Sequence, residues 1–438
     1  MPAKNRPLQA VMMILISMVL TSCYAGNGTE YSDAAPSAEA VSLSFVYSGG
    51  DPDRSQVMQE IADAFNADHP DIRIQAIPSS AGVSSYEDYL QNLNAVGEFP
   101  DFLELKDPEP YIKAGFIAPM PDEIIDLLDH PARFNGSVYT AQLASSLPYA
   151  IYYNKDVFQQ AGIAEEPATW SEFLDICARI KAAGISPIVV GGREVWHLGY
   201  WSNFFFGTSM YADNPNWNRD AAAKQVQFAD AGIVRALSDM EELWVKKYVN
   251  PGWLYTTDSD SATELANGRA GMLYTGPEAL KTIYRINPDA NIGIFAPPDR
   301  KGRIVINGSE RLQGFALTSE AGKDPRKRSA FIAFMKLFYS PEPYKRYIQA
   351  GHALSVTKDN MEYEAVNPLV EELIAISQNP HAVKVQLMQQ YWASNAAPEG
   401  FLDWFLGMMQ YTLATGRPTV EQLLQQADEQ WAKRNYKD

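Results

Sequence analysis

Along residues 41–47 the chain reads Val-Ser-Leu-Ser-Phe-Val-Tyr, apolar and polar side chains alternating as in a strand with one buried face. The period then changes. Val57, Ile61 and Phe65 recur at helical spacing through 54–68, and His69-Pro70 ends that run. Ile72, Ile74 and Ala76 alternate again, 85–96 returns to a helical pattern closed by Gly97, and 101–105 is a third short strand behind Pro100. Strand, helix, strand, helix, strand is the order of a parallel α/β sheet joined by helical crossovers.

A second set starts near Pro148. Residues 149–153 read as a strand and 155–161 as a short helix stopped by Gly162. Thr169-Trp-Ser-Glu172 has the spacing of a capping box, in which hydroxyl and carboxylate satisfy free N–H groups at a helix start. That helix is expected to reach Ala183-Gly184, with a strand following at 188–190. The stretch 196–255 is aromatic and mostly helical in pattern, and 270–274 and 292–295 are further strands. Residues 310–318 lead into a helix at 326–339, and helices at 367–377, 401–415 and 419–434 complete the pattern. Two α/β units crossed more than once by the chain leave a cleft, and ligands of open α/β sheets sit beyond the carboxyl ends of the strands.

The length of 438 residues agrees with two lobes. A formal net charge of −17 argues against nucleic acid and other polyanions, because nothing offsets the repulsion of phosphates or uronates. Nine Trp and 23 Tyr are enough to furnish a core and still leave rings for a binding cleft. The two cysteines, Cys23 and Cys177, support neither a disulfide framework nor a cysteine metal site. Cys177 stands in an apolar-periodic stretch and reads as a buried thiol.

Cys23 is different. Lys4 and Arg6 precede an apolar run at 8–20 that is short for a bilayer span, the pattern of a secretory signal. The run ends in Leu20-Thr21-Ser22-Cys23, which resembles the bacterial lipobox; the resemblance implies cleavage before Cys23 and a diacylglycerol on its thiol. Residues 24–40 are rich in Gly, Asn, Thr, Ser, Ala and Pro, a tether composition. The expectation is a signal peptide at 1–22, a tether at 23–40, and a protein held by lipid on the extracellular face of a bacterial cell membrane.

Six further segments, taken in order, resemble the extracellular solute-binding proteins of carbohydrate importers, the superfamily that includes maltose-binding proteins. They are Phe99-Pro100-Asp101 with its apolar run, Asn135-Gly-Ser-Val-Tyr139, and Tyr152-Tyr-Asn-Lys-Asp156 with Ala161-Gly162 behind it. Ala168-Thr-Trp-Ser-Glu-Phe173, Asn267-Gly-Arg-Ala-Gly-Met272 with Gly276, and Thr415-Gly-Arg-Pro-Thr419 complete the set. The resemblance implies a periplasmic-binding-protein-like α/β fold of two interleaved lobes, each a mixed sheet flanked by helices. It places one lobe at 41–146 and 316–354 and the other at 147–315 and 355–438. Hinges are expected near Ser146, Phe315 and 353–357. It further implies a carbohydrate ligand trapped by lobe closure and handed to the permease subunits of an ABC importer by a monomer, without a cofactor.

A sugar is recognised by flat aromatic faces and by planar polar groups paired with its hydroxyls. Tyr47 and Asp51 end the first strand where the family has a contact loop, although Asp51 equally suits a helix cap. Asp107 follows the third strand, and Tyr149 stands at an expected hinge. Gly191-Gly-Arg-Glu-Val-Trp196 is the most suggestive loop, offering Glu194 and Trp196 where maltose-binding relatives place an acid and an aromatic. After Gly276 this chain has Pro277 and Glu278 in place of the stacking tryptophan of many members, a departure from maltose recognition. Trp404 falls where the family has a late aromatic contact.

Other classes find less support. Tyr152-Tyr153 looks like the tyrosine pair of ferric-binding relatives, but neighbours on a strand face opposite ways, so core packing is expected. His69, His130, His197, His352 and His381 lack metal-ligand spacing. No Gly-x-Ser-x-Gly elbow, His-Glu-x-x-His helix or phosphate loop occurs, so an exported carbohydrate-active enzyme is a minor alternative. A polyamine binder on the same architecture is the other, suggested by the acidic charge.

Overall fold

The computed structural model describes residues 40–49, 51–79, 86–307, 312–359 and 367–435. Cys23, the expected signal peptide and nearly all of the tether lie outside the described residues. Among the described residues no helix is long and apolar enough to cross a membrane.

The first sheet takes Val41–Tyr47, Ile72–Pro78 and Phe102–Leu105, all parallel, with Gly314–Leu317 returning from much later in the chain to pair antiparallel with Phe102–Leu105. Strand parity decides which residues meet. Leu43, Phe45 and Tyr47 face the core beneath the helices Pro52–Asp68 and Pro325–Phe338, and Phe102 stacks on Phe45 at 4.3 Å. Val46, Leu103 and Leu105 point into a smaller cluster on the other face.

The second sheet has the order Ser186–Ile188, Ala270–Thr275, Ala150–Asn154, Ile292–Phe295 and is mixed, with Ala150–Asn154 antiparallel to both neighbours. Ala150–Asn154 is buried on both faces: Ile151 and Tyr153 enter one core, Ala150 and Tyr152 the other. The adjacent tyrosines therefore point apart, as core residues. The strand expected at 188–190 lies two residues earlier, because Val190 donates its amide to the Asn250 side chain and leaves the ladder. Thr169 and Glu172 form both bonds of the capping box at the start of the helix Trp170–Ala182. Cys177 is fully buried on that helix, and burial pushes its thiol far up.

Between the sheets Ser145–Ser146 pairs with Ala353–Leu354 as a two-stranded antiparallel ribbon. Phe315 lies in the first sheet, so that strand straddles the expected 315/316 boundary, and Val356 packs in the first core two residues past the expected 354/355 boundary. On one flank Trp392 packs against Phe134 and Leu312 and its indole donates to the Arg133 carbonyl at 2.9 Å.

Candidate ligand-binding site

Two cavities meet where the lobes face one another. One, of about 500 Å³, is lined from the first lobe by Asp51, Arg54 and His352 and from the second by Glu278 and Lys281. The other, of about 430 Å³, is lined by Trp196, Tyr200, Tyr391, Glu399 and Asp403. Tyr149, Leu387 and Gln389 line both, so the two are chambers of one cleft with Tyr149 at the waist.

Each wall follows from local chemistry. Asp51 caps the helix Pro52–Asp68, accepting from the amides of Asp53 at 3.1 Å and Arg54 at 3.3 Å, and the same carboxylate borders the cleft. Arg54 stands 4.0 Å from Asp51 and over the Tyr347 ring at 5.5 Å. Lys281 reaches across the cleft to Asp53 at 2.9 Å, an exposed ion pair worth little by itself. Lys281 is thus paired, whereas the Arg54 Nε is buried without a hydrogen-bond partner among the described residues.

In the other chamber the lining residues include no cation. Glu399 and Asp403 supply its charge, and neither carboxylate has a hydrogen-bond or ion-pair partner among the described residues. Tyr200, 9% exposed, donates its hydroxyl to Glu278 at 2.7 Å. Burial, and then the charge of Glu278, hold the phenol far above its ordinary range. The carboxylate folds back over Gly276, where a Cβ would meet Glu278 Oε2 at 2.2 Å, so the glycine is required for this placement. Tyr149 sets its ring edge-on to Tyr200 at 4.8 Å. Trp196 is 53% exposed, unusual for tryptophan, and its ring is T-shaped to Tyr200 with centroids 6.0 Å apart.

The glycine-rich loop holds Trp196 out by close approach. At Gly192 a Cβ would collide with the Trp253 ring at 2.3 Å, and at Gly191 it would press on the Asp258 backbone at 3.0 Å. Glu194 turns away from the cleft and accepts the Asp258 amide at 2.9 Å, pinning the loop to the start of the helix Asp258–Ala266. His197, fully buried behind Trp196, accepts the Gly191 amide at Nδ1, which leaves the proton on Nε2, 3.4 Å from the Asp258 carboxylate. The Asp258 carboxyl is raised, first by burial and then by Glu278 and Glu194.

Burial drops His197 to about 4. In the unfolded chain a histidine titrates near 6.5, so the unfolded state binds the extra proton between pH 6.5 and 4. Stability is therefore expected to fall by about 3 kcal/mol as pH drops through that window, and denaturant midpoints of the wild type and His197→Gln should converge near pH 4. Midpoints that keep a constant separation from pH 7 to 4 would refute it.

Of the eight proposed contacts, Asp51, Tyr149, Trp196 and Glu278 border the cleft. Tyr47 does not. It shares the parity of Leu43 and Phe45, lies 3% exposed in the first core, and stacks on Phe45 at 5.1 Å. Asp107 is exposed in the loop before the helix Glu109–Lys113 and lines neither chamber. Trp404 is half-buried against Phe401 at 5.8 Å, whereas Leu402, Asp403 and Leu406 of the same helix face the chamber. A step of about 100° per residue turns 404 off that face. Tyr200, Gln389, Tyr391, Glu399 and Asp403 were not anticipated.

A two-lobed α/β molecule with its cleft between the lobes has known counterparts. Residues 49–345 match the family described as bacterial extracellular solute-binding protein. The chain belongs to this family. The chain is 24% identical over 345 residues to the multiple sugar-binding protein of Streptococcus mutans, covering 75% of this chain and 78% of that one. The sn-glycerol-3-phosphate-binding periplasmic protein UgpB of Escherichia coli is 24% identical over 330 residues, 69% of this chain and 71% of that protein. Among solved structures, a chitin oligosaccharide binding protein superposes with a TM-score of 0.73 at 21% identity, covering 91% of this chain and 100% of that one. At that identity the likeness speaks for the fold. The chain is thus a member of an extracellular solute-binding family, and the relatives it matches are named as binding proteins.

Proposed function

We propose that this solute-binding protein captures a neutral carbohydrate in the two-chambered cleft and delivers it to an ABC importer, without catalysing a reaction. The observation that carries the reading is the wall of the second chamber. Trp196 stands exposed beside Tyr149 and Tyr200, opposite the unpaired carboxylates Glu399 and Asp403. An aromatic face takes the C–H surface of a sugar ring, and carboxylates accept its hydroxyls. Phosphate and uronate suit the second chamber poorly, because the charged residues that line it, Glu399 and Asp403, are both acidic. Recognition then rests on Asp51, Tyr149, Trp196 and Glu278, with Tyr200, Gln389, Tyr391, Glu399 and Asp403 added from the geometry. Closure of the lobes about the 145–146 and 353–354 ribbon would trap the ligand for the permease subunits to read. Cys23 would carry the lipid that holds a monomer at the extracellular face.

The same wall favours one second reading. Aromatic rings with unpaired carboxylates also suit an organic cation such as a polyamine. Thermal-shift screening with mono- to tetrasaccharides, glycerol 3-phosphate, spermidine and ferric citrate separates the two. Ligand at a hundred times its dissociation constant adds about 2.7 kcal/mol of stability, visible as a higher melting temperature. A shift with sugars is the expected result; a shift with spermidine alone replaces sugar by polyamine, and one with glycerol 3-phosphate removes the neutral-ligand assignment.

A further inference from the structure

The helix Pro341–Ala350 ends beside the first chamber, and its last turn departs from the usual pattern. Helices commonly close on a residue in the left-handed region, usually glycine, because a Cβ there crowds the following carbonyl. Here glycine comes one residue early. Gly351 has an ordinary φ of −96° and is required by space, since a Cβ on it would run into the Arg54 side chain. The left-handed position falls to His352, at φ 46°, whose amide donates to the Gln349 carbonyl at 3.1 Å. A histidine therefore stands where glycine would meet less steric resistance.

That position carries the ring to the cleft. His352 lines the first chamber, and so do the charged groups that face its imidazole, Asp51, Asp53 and Arg54 from the first lobe and Lys281 from the second. The residue is half-buried. Neither ring nitrogen has a hydrogen-bond partner among the described residues, and neither is closed off from solvent. Burial holds the imidazole below its ordinary pKa, so at pH 7 it is neutral and offers one donor and one acceptor. The next two residues, Ala353–Leu354, form the ribbon with Ser145–Ser146 between the two sheets. An unfavourable backbone conformation kept beside a ligand cleft points to a use for its side chain.

We infer that His352 is a ligand contact of the first lobe, held in the left-handed region so that its imidazole pairs with hydroxyls of a sugar unit in the first chamber. The inference rests on the carbohydrate reading above and extends it. With Trp196 against a ring in the second chamber and Tyr149 at the waist, a contact at His352 requires a ligand that spans both chambers. That ligand is an oligosaccharide and not a single sugar. A neutral imidazole suits the task better than Arg54 or Lys281, because one ring both gives and accepts a hydrogen bond and adds no charge.

The test is titration calorimetry of the full chain with raffinose, maltotriose and triacetylchitotriose, on the wild type, His352→Ala and His352→Gly. Both variants lose the ring, and each should weaken the trisaccharide that the wild type binds by about tenfold, the loss of one hydrogen-bonding side chain. Only His352→Gly also relieves the backbone, so without sugar it should melt above His352→Ala. Unchanged affinity in His352→Ala overturns the contact, and a loss confined to His352→Gly assigns the effect to a loosened backbone instead. Equal melting of the two variants removes the argument from the left-handed position. Galactose, glucose or N-acetylglucosamine binding as tightly as the matching trisaccharide overturns the span of both chambers. A wild type that binds none of these sugars fails the carbohydrate reading and this one with it, whereas wild-type binding indifferent to His352 fails this one alone.

Discussion

Trp196→Ala is expected to weaken carbohydrate binding about a hundredfold, roughly 2–3 kcal/mol, the loss typical of a central aromatic anchor. The free protein should melt within about 1–2 °C of the wild type, since a half-exposed ring contributes little to the fold. The two readouts separate because the loop, not the ring, carries the local structure. Gly191 and Gly192 press on their neighbours, Glu194 holds Asp258, and Gln410 donates to the Gly192 carbonyl at 2.6 Å, all without the indole. Titration calorimetry with the sugar that shifts the wild type makes the measurement. Unchanged affinity would remove Trp196 from the site, and a large fall in melting temperature would mean that the ring supports the lobe.

Five residues on, the opposite outcome is expected. Trp201 is 1% exposed, packed against Tyr274 at 5.0 Å, Phe173 at 6.2 Å and Phe205 at 6.3 Å. Trp201→Ala deletes the ring from a close-packed aromatic cluster that cannot collapse around the hole, at a cost of about 3–5 kcal/mol. A lower urea midpoint with sugar affinity retained at low temperature is the expected pattern. A cost below about 1 kcal/mol would show that the second core does not depend on this ring.

The pair shows how much of the site was open to a reader of the chain. The loop Gly191–Trp196 stands out because glycines followed by an acid and an aromatic mark a backbone held close to something, and both glycines do meet neighbours that leave no room for a Cβ. The roles of Glu194 and Trp196 were less visible, since either residue suits a sugar. Only the position of the Asp258 amide shows that Glu194 pins the loop. Tyr47 and Trp404 mark the same limit. A strand end and a late aromatic are good general places for contacts, but the direction of each side chain depends on which face its element buries.

What the chain determined by itself is local. Alternation placed the strands of both sheets to within two residues except Gly314–Leu317, which it did not mark as a strand, the Thr169–Glu172 spacing delivered its capping box, and Asn135-Gly136 supplied two left-handed residues for its turn. These signals act over a few residues, where backbone sterics and one hydrogen bond decide the outcome. The cleft was decided by the tertiary structure. Tyr200 meets Glu278 across 78 positions, Lys281 meets Asp53 across 228, and Asp403 joins Trp196 only because a late helix packs beside an early loop. Such pairings follow from which apolar faces bury one another over the whole chain, and no local spacing encodes them.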